Sequence, residues 1–165
     1  MIRHHGVEIL QGQSRRAVFD AALLKANWPS VAGVRIGPEG DVLTDGGRVR
    51  AELQLPGLLL AVSGEVTTFR PGSLIEAAGH QYGMSATMAV EFADNAADLG
   101  DEQVLTTTMT WRFDARLPTW MALFELPAAA AIAAAIPTLR TRFINNIERH
   151  IQQRPDEVAR PAPEG

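Results

Sequence analysis

Through the middle of the chain, apolar and polar residues alternate with a period of two, which predicts strands. The clearest case is Arg48–Leu55, where Val49, Ala51, Leu53 and Leu55 face one way and Arg48, Arg50, Glu52 and Gln54 the other. The same reading predicts strands over Val7–Gln11, Val34–Ile36, Leu58–Phe69, Leu74–Tyr82, Met84–Asp94 and Gln103–Phe113. Gly64 marks a bulge or sharp bend in the longest of these. Asp45-Gly46-Gly47 is a hairpin signal, and Asn95–Asp101 reads as a polar loop. Ser14 caps a helix over Arg15–Lys25, and Pro29 stops it by disfavouring a helical Trp28. Ser30–Ala32 reads as a short turn and Asp41–Thr44 as a strand end.

The last third changes period. Ile132, Ile136, Leu139, Phe143, Ile147 and Ile151 recur in steps of three and four, the stripe of an amphipathic helix. Pro127 suits the first turn of that helix, where its missing N–H costs nothing. The expectation is a lead-in segment over Thr119–Leu126, a helix from Pro127, and a kink near Ala133 caused by Pro137. Strands in sequence joined by short turns pair antiparallel, and a long antiparallel sheet curls. Closed by one helix, such a sheet encloses space.

Composition narrows the class. The 165 residues make one domain, expected over 1–154, with a proline-rich, charged tail over 155–165 expected to be disordered. There are no cysteines, which removes disulfides, thiolate nucleophiles and zinc fingers and fits a cytoplasmic setting. A net charge of −4 argues against a general nucleic-acid binder. Leu117–Ile136 has the length of a membrane span, but it contains Glu125, Pro118 and Pro127 and is alanine-rich, so no integral membrane insertion is expected.

In its order of strand, helices, about six strands and a closing helix, the chain resembles the START-like or SRPBCC superfamily, the Bet v 1-like helix-grip proteins. The resemblance rests on Val18, Phe19, Leu23, Trp28, Pro29, Gly33 and Val34 in QSRRAVFDAALLKANWPSVAGV, on GHQYGMSATMAVEF, and on QVLTTTMTWRFDARLP running into the closing helix. The spacing is nearest to polyketide cyclase/dehydrase-like proteins and to those similar to a carbon monoxide dehydrogenase accessory protein. The resemblance implies an α+β fold of β-α-α-β6-α order. A curved antiparallel sheet of about six to seven strands would wrap a long C-terminal helix around a hydrophobic cavity. Its motifs carry fold and no catalytic residues, and fold alone does not assign function.

The candidate site follows. His80 and Tyr82 sit two apart on one expected strand, so they share a face. Inside the cavity they would orient a ligand or act as acid and base; Glu76 shares their parity, which favours the outer face. Met84, Met88, Met109 and Trp111 form a soft, polarisable set suited to an irregular apolar ligand. Phe124 and Ile136 of the closing stretch join them in the expected ligand-binding set. His4-His5 is a weak metal signal, no cofactor motif is present, and no Ser/His/Asp nucleophile arrangement appears. Three functions stay open: non-catalytic binding of a hydrophobic small molecule or lipid by a monomer or homodimer, a cyclase or dehydratase using His80 and Tyr82, and an assembly factor docking through WMALFELP. The first is the leading expectation.

Overall fold

The computed structural model describes residues 1–31, 33–99 and 102–154, so the tail expected to be disordered lies outside the described residues. The strands are β1 (Ile2–Gln11), β2 (Ser30–Val31), β3 (Val34–Pro38), β4 (Arg48–Leu55), β5 (Leu58–Arg70), β6 (Leu74–Gln81), β7 (Met84–Leu99) and β8 (Glu102–Arg116). They form one antiparallel sheet in the order β1-β8-β7-β6-β5-β4-β3-β2. The helices are α1 (Arg15–Ala22) and α2 (Ala122–Gln153). The expected α+β helix-grip architecture is present with eight strands, more than the six or seven expected, because Ser30–Val31 pairs with β3 instead of forming a free turn.

Local chemistry sets the boundaries. Ser14 has extended backbone angles and its Oγ accepts a hydrogen bond from Ala17 N at 3.2 Å, the expected N-cap. α1 is shorter than expected. After it, Asn27 Nδ2 donates to Ala21 O and Trp28 Nε1 to Ala22 O, both at 2.8 Å, so two carbonyls at the helix end are satisfied by side chains. Asp41–Thr44 contributes only an isolated bridge, Leu24 to Val42. The stretch from Asn95 to Leu99, expected to be a polar loop, is strand: β7 and β8 stay paired out to Leu99 and Glu102. The bulge in β5 falls between Val66 and Thr68, not at Gly64. Gly64 instead faces Gly79, and a Cβ on it would stand 2.4 Å from Ala78 O. Strand β6 ends at Gln81, and Tyr82 occupies the turn with a φ of 52°. The expectation of a strand reaching Tyr82 is one residue too long.

α2 begins at Ala122, after a 3-10 turn at Thr119–Met121, so Pro127 lies inside the helix and not at its first turn. The helix is continuous across both prolines. Pro127 and Pro137 are both exposed, as are Leu123 and Ala133, whose carbonyls lose an N–H partner and can face water instead. The stripe predicted from sequence is the inner face: Ala128, Ile132, Ala135, Ile147 and Ile151 are buried, with Ile136, Leu139 and Phe143 partly so.

The core divides in two along α2. Near its C-terminal half, Leu10, Val18, Phe19, Leu43, Ile75, Phe92, Met109, Ile147 and Ile151 cluster, with Phe19 edge-to-face against Phe69 and Phe92 at centroid distances of 5.7 and 5.3 Å. Near its N-terminal half, Ile2, Val34, Leu53, Leu60, Met84, Phe113, Met121, Ala128 and Ile132 form the other cluster. Met88 packs against both.

Candidate ligand cavity

Where the two clusters meet, the side chains do not close. A hollow of about 120 Å³ lies between the sheet and α2. Its floor is Met88 and Val90 of β7 and Met109, Trp111 and Phe113 of β8; Val34 and Ile36 of β3 form one wall. Its roof is Ile132, Ile136, Leu139, Phe143 and Ile144 of α2, and Trp28 closes the side. Alternation puts every second residue of β7 and β8 on this floor, and the i, i+4, i+7 spacing of α2 puts its branched residues opposite. An engineered apolar cavity of about 150 Å³ holds a benzene molecule. The present hollow is therefore of one-ring size, too small for a sterol or fused polycycle unless a wall moves.

Two smaller hollows adjoin it. One of about 60 Å³ lies toward Met84, Leu60 and Ala128. The other, of about 30 Å³, lies toward Val49 and Ala77. Ile36 and Phe113 line all three, so these two side chains are the partitions between them.

Polar groups in the wall are few. Glu8 of β1 is bound by Arg140 of α2, which ties the sheet edge to the helix at the rim of the hollow. Arg112 of β8 also reaches the rim, and it pairs with Asp114 at 3.5 Å. Trp28 gives its N–H to Ala22 O and sets its ring 4.8 Å from that of Phe143. Trp111 is different. Its Nε1 is out of contact with water and has no hydrogen-bond partner. The indole lies against Gly6, its partner in the β1–β8 register.

Of the residues expected to line the site, Met88, Met109, Trp111 and Ile136 do so, and Met84 lines the adjoining hollow. Three do not. His80 has the parity of Ala78 on the outer face of β6, opposite buried Ile75 and Ala77, and is exposed. Tyr82 is 78% exposed in the turn. Phe124 is 41% exposed, on the face of α2 that looks away from the sheet. An acid–base pair of His80 and Tyr82 acting in the cavity is thereby excluded. Sequence reading missed Trp28, Val34, Ile36, Leu139, Phe143 and Ile144 as lining, although the last helix stripe already contained Leu139 and Phe143. It also missed the Glu8–Arg140 pair, which spans 132 residues and leaves no local signal.

No group of three or more metal-ligating side chains occurs among the described residues. At the other end of α2, Trp120, Leu123 and Leu126 are 73%, 90% and 82% exposed. By length and composition alone α2 could cross a membrane, yet one of its faces is packed on the sheet.

No family model matches the sequence, and no curated protein is similar to it. Solved structures do share its shape. The Zhui aromatase/cyclase from Streptomyces sp. R1128 matches with a TM-score of 0.57 at 12% identity, over 95% of this chain and 98% of that one. A protein of Mesorhizobium loti matches with a TM-score of 0.52 at 12% identity, over 88% and 98%. A conserved protein of Geobacillus kaustophilus matches with a TM-score of 0.50 at 16% identity, over 93% and 97%. These identities speak for shape alone. With an eight-stranded curled sheet gripping one long helix over a cavity, the chain has the helix-grip fold of START-like and Bet v 1-like proteins.

Proposed function

We propose that the protein binds a small hydrophobic molecule in the cavity between sheet and α2 and does so without catalysis. The observation that carries this reading is the apolar hollow of about 120 Å³ at the seam of the two core clusters. Native cores rarely leave such space unfilled. Its polar groups are paired ions at the rim and one free N–H, which suits orienting a ligand better than transforming it. Work in the cytoplasm, without membrane insertion, belongs to the same reading.

The test is thermal denaturation with a size series: benzene-like single rings, flavonoid-like double rings, fatty acids and sterols. A ligand at about 100 times its Kd stabilises the folded state by about 2.7 kcal/mol, a rise in Tm of roughly 5–10 °C for a chain of this size. Single rings should give that rise. If no class does, the reading is overturned.

The exposed Trp120, Leu123 and Leu126 favour a second reading, docking of this end of the molecule on another protein, with a second copy of the chain as the simplest partner.

A further inference from the structure

Buried polar side chains in this protein are otherwise provided for. Asn27 donates to Ala21 O, Thr107 Oγ1 to Gln13 O, and Trp28 to Ala22 O, all at 2.8 Å. Among the described residues, Nε1 of Trp111 is the only buried side-chain nitrogen or oxygen without a partner. A buried donor left unmade is costly, so such an atom in a native wall needs a reason.

Its surroundings cannot supply an acceptor. Gly6, beneath the indole, has no side chain, and Met88 and Met109 offer only thioethers, which accept weakly. The carboxylate of Glu8 is held by Arg140. A trapped water needs two to four polar partners, and apart from the paired ions at the rim the wall offers this single N–H. Indole is a donor only, so what completes it must accept.

We propose that the Trp111 N–H is the anchor for the ligand, and that the ligand is a neutral, one-ring-sized apolar molecule bearing a carbonyl oxygen. This rests on the cavity-binding reading above and adds the chemical class. A phenol or alcohol fits less well, because its own O–H would find no acceptor. A carboxylate fits worse still, because the rim cations Arg140 and Arg112 are already engaged by Glu8 and Asp114, and an unpaired buried charge is strongly disfavoured.

The experiment compares acetophenone, ethylbenzene and benzoate on the ¹⁵N-labelled protein and on Trp111→Phe. It reads affinity by titration and the indole N–H signals by NMR. Trp120, exposed to water, serves as the unmoved control. The expected result is acetophenone binding roughly tenfold tighter than ethylbenzene, benzoate not binding, and the Trp111 indole proton moving downfield with acetophenone alone. In Trp111→Phe the preference for acetophenone disappears while ethylbenzene still binds. Should Trp111→Phe fail to fold, the indole signal of the unsubstituted protein decides. Equal affinities with no downfield movement overturn the anchor and leave the cavity reading standing. If neither neutral ligand binds, both fall together.

Discussion

The indole of Trp111 lies so close to Gly6 that a Cβ on Gly6 would stand 2.6 Å from the ring carbon Cζ2. The contact explains both residues. Only glycine leaves room on β1 for the ring, which lies over the strand and lines the cavity floor instead of filling the cavity. Gly6→Ala should therefore cost about 1–3 kcal/mol through overpacking. It should also push the indole into the hollow. Urea denaturation checks the first effect. Loss of the Tm rise with single-ring ligands checks the second.

Phe113 partitions the three hollows. Phe113→Leu should join them, admit two-ring ligands that the unsubstituted protein refuses, and lower stability by about 1–2 kcal/mol, less than the full truncation to alanine. Thermal shift with a matched one-ring and two-ring pair reads the change in size preference.

The Glu8–Arg140 pair holds the edge strand β1 to α2 with Glu8 mostly out of water and Arg140 partly exposed. A pair so placed is worth little beyond about 1 kcal/mol. Arg140→Met should cost more than Glu8→Gln, because it leaves a carboxylate unpaired in a partly buried place. A double-mutant cycle by urea denaturation should return a coupling of about 0.5–1 kcal/mol.

How much of this was legible before the fold was known depends on the range of the interaction. The inner faces of β4 and α2 could be read directly, since alternation at Val49, Ala51, Leu53 and Leu55, and the stripe from Ile132 to Ile151, are local periodicities. Half of the cavity lining came with them. Tyr82 was misplaced because alternation cannot tell where a strand stops and its turn begins; Gly83 marked the turn, and the turn took Tyr82 as well. The start of α2 was misplaced because Pro127 obeys the first-turn preference only on average, and here its exposed face leaves the orphaned carbonyl in water. Asn95–Leu99 looked like a loop because its composition is polar, and pairing with β8 overrode composition. The Trp111–Gly6 contact and the Glu8–Arg140 pair are relations between distant positions. No periodicity along one segment carries them.

The outward face at the start of α2 makes a separate prediction. Leu123 and Leu126 are almost wholly in water in the monomer, so Leu123→Ser with Leu126→Ser should change stability by no more than about 0.5 kcal/mol. If this end docks on a second copy, sedimentation should show concentration-dependent dimers for the unsubstituted protein and monomers for the double variant. Monomers for both would remove self-docking from consideration.

The central claim is that a ligand sits between sheet and α2, on Trp111 and under Ile136 and Phe143. A crystal of the protein grown with bromobenzene tests this most directly, because the anomalous signal of bromine places the ring without interpretation. One strong bromine peak is predicted within van der Waals reach of Met88, Met109, Trp111, Ile136 and Phe143. A peak on the Trp120–Leu126 face, or none in the cavity at a bromobenzene concentration that raises the Tm, would contradict the claim.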